Sequence, residues 1–144
     1  MPASQNWLAW ALLSATFAAL TAIFAKVGLE GIDSDYATLL RTVIIVLVLS
    51  ALVLGAGKWR SPADLPPRSL AFLVFSGLAT GASWLCYFRA LKVGAASRVA
   101  PIDKLSVVLV AVFATAFLGE RPSGREWFGI ALISGGALLL STAR

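Results

Sequence analysis

A chain of 144 residues that is 59% hydrophobic and only 13% charged cannot bury its apolar surface around one core in water. The net charge of +5 comes from lysines and arginines at the ends of apolar runs, the membrane pattern, so nucleic acid is excluded as a partner. No histidine and a single cysteine exclude His-based metal sites, Ser-His and Cys-His pairs and an internal disulfide, leaving no basis for a cofactor or an enzyme.

A bilayer core of about 30 Å needs roughly 20 apolar residues of helix. Five runs of that order follow one another, at about 7–26, 36–56, 69–91, 97–118 and 126–142. The expected fold is all-α: an integral membrane bundle of five transmembrane helices forming one domain over 1–144. The first run starts at Trp7 with no basic region before it and is too long for a signal peptide, so it reads as a retained helix. Counting back by fours from Lys26 gives Ala22, Ala18 and Ser14, a stripe that lets another helix approach. The link 28–35 (GLEGIDSD) offers Ser34 or Asp35 as a cap for the second run, which carries Arg41 about one and a half turns in.

The link 57–68 (GKWRSPADLPPR) holds three prolines and reads as a true loop. The third run contains Gly77-x-x-x-Gly81, then Trp84, Cys86, Tyr87, Phe88 and Arg89. Cys86 is expected to be a small buried hydrophobe. Gly94 is a stop signal before the fourth run, which has Pro101, Asp103 and Lys104 in its first turns. In 119–125 (GERPSGR), Ser123 and Glu126 have capping-box spacing, so the last run begins just after Ser123. That run carries Ala131-x-x-x-Gly135 with Gly136 beside it. Small residues at this spacing mark close helix contacts in lipid, within the chain or with another copy.

Charges inside spans are the informative residues, since each costs roughly 2.5–3.5 kcal/mol at mid-helix. Lys26, Arg41, Arg89, Asp103 and Lys104 come from four runs, and all fall in one half of the membrane. They are the expected substrate-binding or coupling residues, with Trp84 and Tyr87 as a wall. Asp103 is the acid at the depth of Arg41 and so its expected partner. The plainer readings stay open: Lys26 and Arg89 as snorkelling cations, Asp103 as an acid suited to a helix start.

Positive residues divide evenly between the two sides. Lys58, Arg60, Arg68, Arg121 and Arg125 fall on the side of the N-terminus; Lys26, Arg89, Lys92, Arg98 and Arg144 fall on the other. The positive-inside rule needs a bias to set orientation, and with Arg41 and Lys104 set aside as intramembrane there is almost none here. One reading is that Arg89 lies too deep to count, which favours the N-terminal side as cytoplasmic; the other is insertion in both orientations, with pairing to an inverted copy.

The stretch 90–118 (ALKVGAASRVAPIDKLSVVLVAVFATAFL), running into Gly119-Glu120-Arg121-Pro122 and then Trp127, Gly129 and the apolar run 130–140, resembles the EamA domain of the drug/metabolite transporter superfamily. The 100–106 run (APIDKLS) resembles its single-repeat, five-helix bacterial and archaeal branch. The resemblance implies a multi-pass protein of the cell (inner) membrane that moves a small solute or metabolite by alternating access. Most members have two such repeats, one inverted. A lone repeat therefore implies a homo-oligomer, and an inverted-topology dimer would rebuild the usual architecture. The competing expectation is a non-transporting membrane interaction protein, with its charges collapsed into internal salt bridges. Substrate, coupling ion and direction of transport are not fixed by these features.

Overall fold

The computed structural model describes residues 6–142. Among the described residues every regular element is helical: α1 (Asn6–Gly28), α2 (Ser34–Gly55), α3 (Pro67–Val93), α4 (Ala96–Asp103), α5 (Ser106–Phe113) and α6 (Gly124–Thr142). A short 3₁₀ turn at Pro62–Asp64 sits in the loop before α3, and a π-helical turn at Ala114–Leu118 follows α5. Four helical stretches are long and apolar enough to cross a membrane: α1, α2, α3 and the composite Ala96–Leu118.

α6 is not among those four. It has 19 residues. Its uncharged stretch from Trp127 to Thr142 would rise only about 24 Å, against about 30 Å of hydrocarbon. A fifth crossing is therefore not shown. Arg144, which entered the charge comparison, lies outside the described residues.

The boundaries follow local chemistry. The cap of α2 is Asp33, neither Ser34 nor Asp35: its carboxylate accepts from the Asp35 and Tyr36 amides at 2.9 and 3.0 Å. α3 starts at Pro67, inside the stretch expected to be loop. A proline fits a first helical position because its missing N–H would have had no partner there. α6 begins at Gly124, behind a reciprocal capping box. The Ser123 amide donates to Glu126 Oε2 at 2.6 Å, and the Glu126 amide donates to Ser123 Oγ at 3.4 Å.

The fourth run differs most from expectation. It is broken at Lys104 and Leu105 and ends in a π-helical turn. Pro101 lies inside α4 and has no N–H to give to the turn before it. Around the break the amides of Lys104, Leu105, Val107 and Val108 each donate three residues back, to Pro101, Ile102, Lys104 and Leu105. Three-residue closures tighten the backbone and interrupt the α ladder. Gly119 then stops the helix in the left-handed region, at φ 69°, a conformation that favours glycine.

By contact the chain falls into two compact units. One is Phe24–Lys92; the other takes in the chain up to Ile23 together with everything from Val93 onward. In the latter, α6 packs on α4 and α5. Ala111, Ala114 and Ala137 are buried there, and Ile130 and Ser134 are half-buried on the same face of α6 as Ala137. In Phe24–Lys92 the buried residues are Leu29, Ser34, Thr38, Phe88 and Leu91.

The expected packing motifs make no such contacts. Gly77, Gly81, Ala131, Gly135 and Gly136 are exposed, and a Cβ at any of these glycines would meet nothing within 4 Å. The face that α6 uses, through Ile130, Ser134 and Ala137, lies beside the Ala131–Gly135 stripe. Cys86 is exposed too, where a buried position was expected. Ala22 in the α1 stripe is buried, while Ala18 and Ser14 are exposed.

Candidate functional site

Within Phe24–Lys92, charged side chains gather where α1 ends, α2 begins and α3 ends. Lys26 sits in the last turn of α1 and donates from Nζ to the Leu91 carbonyl at 2.6 Å. That carbonyl belongs to the last turn of α3, where carbonyls lack intrahelical partners and carry the negative end of the helix dipole. Lys92 likewise donates to the Ile32 carbonyl in the α1–α2 link. Leu91, fully buried, fills the space between these ties.

Arg89 and Asp35 form a two-pronged ion pair across α3 and α2. Nε donates to Oδ1 at 2.8 Å and Nη2 to Oδ2 at 2.6 Å, the fork geometry in which guanidinium and carboxylate match best. The pair is open to the surroundings, so in water it would contribute little. At a bilayer boundary it neutralises two charges that lipid would otherwise have to accommodate.

Arg41 lies deeper. Its guanidinium carbon is 4.2 Å from the centroid of the Trp84 ring and 5.3 Å from that of Phe88. A delocalised cation over aromatic faces is attracted by their quadrupoles, more strongly where water is sparse. Tyr87 extends the aromatic group, its ring centroid 6.5 Å from that of Phe88.

The expected site residues are thus divided. Lys26, Arg41, Trp84, Tyr87 and Arg89 belong to Phe24–Lys92. Asp103 and Lys104 belong to the other unit, at the break in the fourth run, where they pair with each other at 3.3 Å. Within its own unit Arg41 meets aromatic faces, and within the other unit Asp103 meets its sequence neighbour Lys104.

One residue of the cluster was missed altogether. Asp35 was read as a cap, and its role is to hold Arg89. The signal lay in 33–35, where two acids stand at one helix start and only one is needed as the cap. Among the described residues, no group of three or more Cys, Asp or Glu side chains is arranged to hold a metal ion.

The sequence pattern of the EamA-like transporter family matches residues 5–142. The chain belongs to this family. This EamA-like chain is 60% identical over 138 residues to an uncharacterized transporter in the cobO 3′ region of Sinorhizobium sp, covering 96% of this chain and 98% of that one. It is 30% identical over 105 residues to the uncharacterized transporter YwfM of Bacillus subtilis strain 168, covering 71% of this chain and 36% of the relative. A third relative, from Pseudomonas fluorescens, is a probable 4-amino-4-deoxy-L-arabinose-phosphoundecaprenol flippase subunit, ArnE. It is 38% identical over 58 residues, covering 40% of this chain and 48% of that one. No solved structure matches this EamA-like chain. Family and relatives support the role of a multi-pass membrane transporter.

Proposed function

We propose that this chain carries a small solute or metabolite across the cell (inner) membrane by alternating access, working as an antiparallel homodimer. α6, with the bilayer locally thinned around it, completes a five-span repeat, and 1–144 acts as one membrane domain. The observation that carries the proposal is how little of each span the chain covers. At most 11% of any of the four long apolar helices is buried by the chain's own contacts. A transport path needs walls, and one copy supplies too few. A second copy in the opposite orientation would rebuild the inverted-repeat arrangement, with the path between the repeats.

The even division of positive residues suits insertion both ways. The open faces at Gly77, Gly81, Ala131, Gly135 and Gly136 suit close approach by that second copy. In this reading Lys26, Arg41, Trp84, Tyr87, Arg89, Asp103 and Lys104 bind the solute or couple its movement. The Asp35–Arg89 pair closes one end of the path and Asp103 carries the coupling proton.

Reconstitution into proteoliposomes tests the coupling. Asp103→Asn should flatten the pH dependence of solute uptake; unchanged pH dependence would remove Asp103 from the mechanism.

The second reading is a non-transporting interaction protein. It is favoured by the pairing of Arg89 with Asp35 and of Lys104 with Asp103, since such a protein has no need of unpaired charge in its spans. The word subunit in the name of the flippase relative also suits a short chain that works beside another. Solute-dependent flux through the purified chain alone would reject it.

A further inference from the structure

Arg41 stands in α2 seven residues beyond Ser34, about 10 Å along the axis from the start of that helix. A long side chain on a helix leans toward the N-terminus, so a snorkelling Arg41 would reach back to the near interface. It does not. Its guanidinium lies closer to Trp84 than to Phe88, at 4.2 against 5.3 Å. Trp84 is nine residues before the end of α3 at Val93, and Phe88 five, which is about 13 and 8 Å of helix. The aromatic pair thus holds the charge well below the interface.

A guanidinium has five N–H donors in a planar fork and cannot shed its proton. Among the described residues of Phe24–Lys92, Arg41 meets aromatic faces and has neither a hydrogen-bond acceptor nor an ion-pair partner. Thr38 and Thr42, its polar neighbours on α2, donate into their own helix, to the Ser34 and Thr38 carbonyls at 2.8 and 2.7 Å. Aromatic faces steady the cation and leave the edge of the fork unused. In a span, donors left without acceptors are costly enough to mark a site that something else completes.

The geometry points to Arg41, clamped by Trp84 and Phe88, as the receptor for an oxyanion, a carboxylate or phosphate group taken two-pronged at the free edge of the guanidinium. This rests on the carrier reading for its purpose but not for its binding chemistry. A point-charge lysine would lack the fork, and an isolated arginine would lack the fixed plane. The neighbouring cations are already engaged: Lys26 on the Leu91 carbonyl, Arg89 on Asp35, Lys92 on the Ile32 carbonyl. An anion entering this region therefore meets Arg41 as its open partner. The oxyanion belongs either to a free solute or to a lipid headgroup drawn inward.

The test is a calorimetric titration of the full chain in phosphatidylcholine nanodiscs with benzoate, phenyl phosphate and the neutral control benzyl alcohol. Benzoate or phenyl phosphate should bind and benzyl alcohol should not. Arg41→Met should weaken binding roughly tenfold or more, and Arg41→Lys severalfold, since the charge stays and the fork is lost. Trp84→Leu keeps the charge and removes one clamp; it should also weaken binding severalfold, with helix content unchanged by circular dichroism. Repeating the titration with a water-soluble short-chain phosphatidic acid as competitor separates the sources. Displacement of benzoate by it in the wild type but not in Arg41→Lys assigns the site to lipid phosphate, and no displacement assigns it to a free solute.

Absence of oxyanion binding, or equal binding by wild type and a folded Arg41→Met, would overturn the site. Binding without any uptake in proteoliposomes would instead overturn the carrier and leave the site standing. Uptake of benzoate or phenyl phosphate that persists unchanged in Arg41→Met would leave the carrier and take the site out of its path.

Discussion

The helix ends around Leu91 are held by charge, whereas α4, α5 and α6 are held by small side chains. In Phe24–Lys92 three cations reach across from one element to another, two of them to backbone carbonyls and one to Asp35. In the other unit the buried residues among those described are alanines, which let helices approach closely. Lipid tails are as apolar as leucine, so neither unit can rely on hiding apolar surface from water. Polar ties at helix ends hold by direction and can be exchanged for other partners. Alanine faces hold by fit and change little.

Five substitutions would break or sharpen that contrast. Leu91→Ala should have the largest effect. It removes the buried side chain among the polar ties and should cost about 2–5 kcal/mol; a chaotrope titration in detergent micelles measures it. A loss under 1 kcal/mol would mean that the ties need no apolar support. Pro101→Ala should act in the opposite direction. It restores an amide to the interior of α4 and should stabilise the fourth run by up to about 3 kcal/mol, with slower hydrogen exchange at residues 101–105. Unchanged exchange there would relieve proline of responsibility for the break.

Ala137→Leu overfills the face that α6 turns to its neighbours and should cost about 1–3 kcal/mol in the same titration. Gly135→Leu, on the open face, should leave the monomer's stability nearly unchanged and weaken self-association. Equal effects at the two positions would erase the distinction between the inner and outer faces of α6. Ser123→Ala should be the mildest. Loss of the capping box costs about 1 kcal/mol, read as fraying of the first turn of α6 by hydrogen exchange.

Helices were legible because hydropathy and punctuation agree. The capping box at Ser123 and Glu126, the glycine stop at Gly119 and the long apolar runs are local signals. α1, α2, α3 and α6 each lie within a few residues of the expected runs. The break at Lys104 was less legible. Pro101 was visible, but a proline near a helix start is also a normal opening residue, and only the backbone shows that α4 had already begun at Ala96. The structure shows four long apolar spans and leaves the crossing by α6 unshown, because its apolar stretch is short.

The charged residues of the cluster were legible as types and depths; their partners were not. Depth along a helix can be counted from sequence, so Arg41 stood out. Whether it meets Asp103 or Trp84 depends on how helices rotate about their axes, and small residues in lipid leave that rotation weakly specified. Asp35 escaped notice because a carboxylate at a helix start has an ordinary explanation. The partner of Arg89 could be recognised only once Asp33 was seen to take the cap.

The inverted pair is tested most directly by labelling from outside. With Cys86 replaced by alanine, a single cysteine at Lys58, in the loop after α2, or at Glu30, in the link after α1, is exposed to an impermeant maleimide on intact cells. Each position should label in part, to about half, because half the copies present each loop outward. Complete labelling at one position and none at the other would fix a single orientation and contradict the antiparallel dimer.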